Sequence, residues 1–254
     1  MELGFKGKVA LVTGAGSQIG FGRQIALLLA KEGCDAIAVT DIIDDVKLTA
    51  EELKKTGKKS IAIKADITKK DDVQAMVKQI INEFKKIDIL CNVAGGIASR
   101  VPYDQATPED WDTDIHLNLM SIMLTCQAVL PHMREKKSGV IVNIGSGSTR
   151  MYGHGTGNAY AISKAGVDTF TKQLAFNEAK NGIRCNCVAP GPAPTNFIPG
   201  PDKQGVINML AKTIPLGRGA TQADIANATA FFASDMSSYI TGAILHVSGG
   251  SVLD

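Results

Sequence analysis

Tyr160 and Lys164, within Tyr160-Ala161-Ile162-Ser163-Lys164, are the residues whose types and spacing come closest to a chemical device. Four positions apart on a helix, they share one face and sit one turn from each other. An ammonium beside a phenol hydroxyl favours the phenolate, so a group that ordinarily titrates near about 10 becomes a usable base closer to neutrality. The spacing predicts a proton-transferring tyrosine whose pKa Lys164 lowers. It also suits a surface lysine laid over a half-buried tyrosine, and the choice rests on what the chain places nearby.

The candidates nearby are strand ends. Lys8-Val9-Ala10-Leu11-Val12-Thr13 is a continuous apolar run that reads as a strand buried on both faces. It enters Gly14-Ala15-Gly16-Ser17-Gln18-Ile19-Gly20-Phe21-Gly22, and a helical run from Arg23 to Glu32 follows and stops at Gly33. In a strand–loop–helix, glycines let the backbone approach a pyrophosphate, and the helix N-terminus offers free amides. Ala36 to Thr40 is a second buried strand with Asp41 at its end. Asp41 lies at about the 20-residue distance expected of a carboxylate that accepts bonds from an adenosine ribose and repels a 2′-phosphate. Ile42 and Ile43 follow, with no arginine to attract that phosphate, which predicts NAD rather than NADP. A helix-capping aspartate is the other reading.

The alternation continues to the C-terminus. Helices are expected over 44–56, 70–86, 108–136 (with Pro131 near its end) and 221–233, and one carrying Tyr160 and Lys164 runs to about Asn181. Strands are expected over Ser60–Ala65, Ile87–Cys91, Val140–Ile144, Arg184–Ala189 and Ile244–Val247. With no linker or repeat between them, these predict one α/β domain spanning 1–254, a doubly wound parallel sheet with helices on both faces. Ligands of such sheets bind beyond the C-terminal ends of the strands. Gly14–Gly22, Asp41, Asp66, Asn92–Gly95, Ser146 and Pro190–Gly191 all fall at such ends.

Bulk properties exclude other classes. With 254 residues, 44% apolar and 20% charged, the chain has an ordinary globular composition. A net charge of +2 argues neither for nucleic acid nor for an anionic membrane. No apolar run approaches the roughly 20 residues that span a bilayer, and the N-terminus lacks the order of a signal peptide. Five cysteines without C-x-x-C spacing and four scattered histidines predict reduced, buried thiols, a cytoplasmic setting and no metal site.

Taken in order, these pieces resemble the short-chain dehydrogenase/reductases of the classical type, over nearly the whole chain. That family carries T-G-x-x-x-G-x-G after the first strand, N-N-A-G after the fourth, and an Asn in the long helix. It also carries a Ser about 13 residues before Y-x-x-x-K, and P-G with a Thr soon after. The corresponding residues are Thr13, Gly14, Gly20 and Gly22; Asn92-Val93-Ala94-Gly95; Asn118; Ser146; Tyr160 and Lys164; and Pro190-Gly191 with Thr195. Pro215-Leu216-Gly217-Arg218 and the segment from Thr241-Gly242 to Gly249-Gly250 are similar to the family's C-terminal pattern.

The resemblance implies hydride transfer between a nicotinamide ring and a carbonyl or alcohol carbon. Tyr160 moves the proton, Lys164 lowers its pKa and binds the nicotinamide ribose, and Ser146 stabilises the substrate oxygen. Asn118 holds a water that relays protons from Lys164, unless it only plugs a helix bend. Gly14, Ser17, Gln18, Ile19, Gly20 and Gly22 meet the phosphates, and Asp41 and Ile42 the adenosine ribose. Asp66 and Ile67 flank the adenine, Asn92, Ala94 and Gly95 meet a ribose, and Thr195, after Pro190 and Gly191, the carboxamide. A homotetramer or dimer paired through the long helices is also implied.

This chain departs from the pattern twice. Its glycine loop has two extra residues, at Ser17-Gln18-Ile19, and Ser146 lies 14 residues before Tyr160 while Ser148 lies 12 before it. Ser146 is preferred because it ends the strand Asn143-Ile144-Gly145. The expected pocket walls are Gly96–Val101, Ser148–Gly155 and a proline- and glycine-rich mobile lid, Ala193–Ile214. Met151, Tyr152, Phe197, Ile198 and Met209 make these walls apolar, or merely pack the lid. Arg100 and Arg150 stand near the mouth, where they either meet an anionic group or are solvated. The expected substrate is a secondary alcohol or ketone of moderate size. The rivals are a 3-oxoacyl-thioester reductase, of a kind that usually prefers NADPH, and a non-catalytic dinucleotide-binding subunit, which would have lost Ser146, Tyr160 or Lys164.

Overall fold

A computed structural model of the chain describes residues 3–151 and 157–253. Its elements run β1 (Val9–Thr13), α1 (Phe21–Lys31), β2 (Ala36–Asp41), α2 (Val46–Lys55), β3 (Lys59–Lys64), α3 (Lys70–Phe84) and β4 (Ile89–Asn92). They continue through α4 (Pro108–Ile115), α5 (Ser121–Lys136), β5 (Gly139–Ile144), α6 (Asn158–Glu178), β6 (Ile183–Pro190), α7 (Lys203–Ala211), α8 (Gln222–Ala233) and β7 (Ile244–Val247). The strands form a seven-stranded parallel sheet in the order β3-β2-β1-β4-β5-β6-β7. The order reverses between β1 and β4, the switch point at which ligands of such sheets bind.

Period-two geometry explains why the strands read as unbroken apolar runs. Ala10 and Val12 of β1 join a core with α1, α2 and α8 on one face, while Leu11 joins a core with α3, α5 and α6 on the other. Ile37, Val39 and Ala38 of β2 divide the same way. All five cysteines lie inside these layers as buried thiols. Burial pushes the Cys34 and Cys126 thiols up to about 12, so neither is a thiolate near neutrality.

Asn92 and Asn143 are opposed across β4 and β5, fully buried, and tied into one polar network. Asn92 Nδ2 donates to Asn143 Oδ1 at 2.9 Å, Asn143 Nδ2 donates to Thr171 Oγ1 at 2.9 Å, and Thr125 Oγ1 donates to Asn92 Oδ1 at 2.7 Å. The network fastens α5 and α6 to the sheet directly below the strand ends. Asn143→Ala would leave Asn92 Nδ2 only its weak bond to Cys126 Sγ at 3.4 Å and take the donor from the Thr171 hydroxyl in a dry interior, at a cost of about 2–4 kcal/mol. Urea unfolding should show a lower midpoint with an unchanged slope; an unchanged midpoint would mean that the network contributes nothing.

Two elements differ from expectation. The helix expected over 108–136 is interrupted by a π-turn, His116–Met120, between α4 and α5. Asn118 accounts for it: Nδ2 donates back to Asp114 O at 3.0 Å while also reaching Gly96 O at 2.8 Å, a demand that a regular turn does not meet. The segment expected as a lid contains α7, whose N-cap Asp202 accepts a bond from Gly205 N at 2.8 Å.

Candidate active site

The glycine loop and the end of β4 are pressed together at the switch point. Thr13 Oγ1 accepts bonds from Val93 N at 2.9 Å and Ala94 N at 3.1 Å. Gly14 has φ +66°, and a Cβ there would stand 2.6 Å from the Ala94 backbone, so no other residue fits without moving the loop. Gly20 N donates to Ser17 O at 3.0 Å, closing the two-residue excess into a turn. Ser17 is half-buried, Gln18 and Ile19 are exposed, and Gly22 lies in the first turn of α1. The N-terminus of α1 has no side-chain cap, which leaves its amides to an anion. A backbone cradle with an uncapped helix behind it fits the pyrophosphate of a dinucleotide.

Asp41 is occupied on both oxygens by backbone. Oδ2 accepts Gly16 N at 2.7 Å, and Oδ1 accepts Ile42 N at 2.8 Å and Ile43 N at 3.3 Å. Asp41 therefore shapes the glycine loop as well as charging its rim, and an ionised carboxylate keeps lone pairs for ribose hydroxyls. Ile42 beside it is 59% exposed. Lys64 and Lys47, the nearby cations, are both bonded to Asp44, at 2.7 and 3.1 Å.

Several side chains at the strand ends are engaged within the protein. Asp66 Oδ1 accepts Thr68 Oγ1 at 2.6 Å and Thr68 N at 3.0 Å, which holds its carboxyl below the usual range. Ile67 packs into the core beside α3, and the Asn92 side chain belongs to the buried network, so each offers a ligand only its backbone. Gly191 N is bonded to Val247 O at 2.9 Å, at the end of β6 where Pro190 closes the strand. Thr195 is buried, with Oγ1 accepting Phe197 N at 3.3 Å.

Ser146, Tyr160 and Lys164 come together beyond β5. Ser146 opens a 3-10 turn, Gly147–Thr149, and its side chain is hydrogen-bonded to Tyr160. Ser148 lies buried behind it, donating Oγ to Ser146 Oγ at 2.9 Å and N at 3.1 Å. Of the two serines, Ser146 is thus the one that meets Tyr160. The Tyr160 ring packs edge-on against Phe197 at 5.0 Å, and Lys164 Nζ, 5.9 Å from that ring's centre, donates to Ile144 O at 2.8 Å. Gly95 is the one residue that fits beside them, since a Cβ there would be 2.7 Å from Asn118 Oδ1 and 3.3 Å from Lys164 Nζ.

The expected electrostatics are reversed in this structure. Tyr160 and Lys164 are both almost fully buried. Burial pushes the Tyr160 phenol above its ordinary value, outweighing the bond from Ser146 that lowers it. Burial also pushes the Lys164 ammonium down from 10.5 to about 8. Desolvation of the lysine weakens the cation that was expected to lower the tyrosine. Between about pH 8 and 10.5 the unfolded chain binds a proton at Lys164 that the folded chain does not, so this group's penalty is full below that window and relieved as pH rises through it. Lys164→Met should be more stable than the parent at pH 7 by on the order of 2 kcal/mol, with the difference shrinking towards pH 10. Paired urea midpoints across that range check this, and a difference independent of pH would contradict it.

Asn118 has both amide protons engaged, on Gly96 O and Asp114 O, and its Oδ1 accepts Gly96 N at 3.0 Å. Its side chain clamps the wall after β4 in place, and the expected water would have to use what remains of its acceptor or its backbone. Asp114, fully buried, supports the same wall by accepting Ala98 N at 3.0 Å and Ser99 N at 3.3 Å. Sequence reasoning missed it because an aspartate on a polar helix reads as a surface residue. Arg100 donates to Phe197 O at 2.9 Å, joining this wall to the 193–214 segment. Met209 is exposed. Tyr152 and the rest of the expected wall over 152–155 lie outside the described residues.

A family model described as Enoyl-(Acyl carrier protein) reductase matches residues 14–251. A 3-oxoacyl-(acyl-carrier-protein) reductase of Staphylococcus epidermidis is 39% identical over 247 residues, covering 96% of this chain and 98% of the relative. The hydroxy(phenyl)methylsuccinyl-CoA dehydrogenase subunit of Thauera aromatica is also 39% identical, over 256 residues and 99% of each chain. Among solved structures, a 7α-hydroxysteroid dehydrogenase complexed with NADH and 7-oxo glycochenodeoxycholic acid superposes with a TM-score of 0.89. Its sequence is 32% identical, with 100% of this chain and 97% of that chain covered.

Proposed function

Because the chain belongs to the short-chain dehydrogenase/reductase family and is an oxidoreductase of that kind, we propose that it interconverts a secondary alcohol and a ketone with NAD, as a single catalytic domain. The observation that carries this reading is the hydrogen-bonded Ser146–Tyr160 pair, with Lys164 anchored on Ile144 O one helical turn away. The dinucleotide supplies the hydride chemistry when bound, and the protein supplies position and protons. Ser146 donates to the substrate oxygen and stabilises the charge that develops there. Tyr160 delivers a proton to that oxygen in reduction and removes it in oxidation. Lys164, held on Ile144 O, keeps a positive charge below the phenol and offers its remaining protons to a ribose hydroxyl. Phe197 covers the Tyr160 ring and excludes water from one side.

Asp41 supports NAD: its carboxylate faces the loop where a 2′-phosphate would sit, and both nearby lysines are already bonded to Asp44. The solved dehydrogenase that holds NADH with a 7-oxo steroid supports a ketone as oxidised partner. A second reading, reduction of a 3-oxoacyl thioester, is favoured by the likeness to the Staphylococcus epidermidis reductase. Both can be tried in one screen of secondary alcohols with NAD⁺ and 3-oxoacyl thioesters with NADH and NADPH. Turnover of secondary alcohols with NAD⁺ supports the first reading. Turnover of thioesters with NADPH alone would replace it with the second, and turnover of primary alcohols or aldehydes alone would sink both. Exposed Phe176 (84%) and Ile162 (54%) on α6 and Met123 (37%) on α5 support assembly into a homo-oligomer through these long helices.

A further inference from the structure

The excess residues of the glycine loop are gripped by side chains from far along the chain. Asn196 Nδ2 donates to Ser17 Oγ at 3.1 Å. Gln222, the first residue of α8, donates through Nε2 to two carbonyls at once, Ile19 O at 3.1 Å and Pro194 O at 2.9 Å. Gln18 Nε2 closes the base of the bulge on Gly16 O at 3.0 Å. One amide group therefore bridges the glycine loop and the 193–214 segment, and a second bond joins them directly.

The bridge is built on firm ground. Thr221 and Asp224 form a reciprocal capping box around Gln222, and Arg218 holds Asp224 through two bonds, at 2.7 and 3.1 Å. At the other end, Asn196 stands between buried Thr195 and Phe197, whose ring covers Tyr160. A shorter loop would lack the carbonyl and hydroxyl that these side chains reach.

We propose that Gln222 and Asn196 are positioning residues of the dinucleotide cleft: they latch the 193–214 segment to the Ser17–Ile19 bulge and set how fast a dinucleotide leaves. This rests on reading the glycine loop as the dinucleotide site. Neutral bonds between partly exposed groups are individually weak, so the latch opens readily yet closes in one register. Losing both bonds of Gln222 should change the release rate by about tenfold, and losing the Asn196 bond by about threefold.

The test uses the parent protein, Gln222→Ala and Asn196→Ala. NADH release is followed by fluorescence after mixing with excess NAD⁺, and trypsin cleavage after Lys203 or Lys212 is timed without dinucleotide. Both variants should release NADH faster, Gln222→Ala by about tenfold, and both should be cleaved faster, while their unfolding midpoints stay near the parent's. Release and cleavage unchanged in both variants, with NADH binding intact in the parent, overturn the latch alone. Faster cleavage with unchanged release overturns its control of the dinucleotide. No NADH binding by the parent overturns the reading of the loop, and this proposal with it.

Discussion

Tyr160→Phe should reduce ketone turnover by about a hundred- to ten-thousandfold, the range over which a positioned proton donor contributes, while NADH affinity changes by no more than about twofold. The ring stays, so its edge contact with Phe197 and its cover over the sheet end remain; only the proton and the bond to Ser146 are lost. Steady-state rates beside an NADH titration make the comparison, and a variant within tenfold of the parent would remove Tyr160 from the proton path. The raised phenol adds a direction. Burial keeps the proton on Tyr160 through neutral pH, so the reductive direction starts with its donor loaded and should be flat with pH until the phenol ionises. The oxidative direction needs the phenolate, so its kcat/KM should climb as pH rises from 7 to 10. Reductive and oxidative profiles that rise together would contradict this.

Asp41→Asn should shift the preference between NAD and NADP towards NADP by about ten- to a hundredfold, because a 2′-phosphate would no longer meet a like charge. The substitution is chosen over alanine for a structural reason. Asp41 also accepts Gly16 N and Ile42 N, and asparagine keeps one acceptor oxygen, whereas alanine would loosen the loop and blur a charge effect with a structural one. Calorimetric titration of each dinucleotide into both proteins measures the shift, which should narrow at high salt because the rim is open to solvent. An unchanged ratio would mean that Asp41 acts only as a loop brace, and NADP preferred by the parent itself would show that the acidic rim has been misread.

Much of this molecule was determined locally and is legible in the chain. Runs such as Val9–Val12 and Ala36–Val39 are apolar at every position because parallel strands are buried on both faces. Strands separated by helices leave few topologies, and in the one adopted every strand end points to the same edge of the sheet. That is why Gly14, Asp41, Asn92, Ser146 and Pro190, far apart in sequence, all lie along the edge formed by the C-terminal ends of the strands.

Tertiary structure alone decided what depends on a partner from another element or on exclusion from water. Spacing could not separate Ser146 from Ser148; the 3-10 turn did, by burying Ser148 behind the hydroxyl that meets Tyr160. The break at Asn118 needed Gly96 to arrive from β4. The bridge from Gln222 to Ile19 and Pro194 spans about 200 positions of chain on one side, a pairing without any local signal. The sharpest case is the pair Tyr160 and Lys164. Helical spacing correctly put Lys164 one turn from Tyr160, but whether a cation lowers a phenol is a balance between Coulomb attraction and desolvation. Only the packed structure, which buries both groups, makes desolvation the largest influence on each of them.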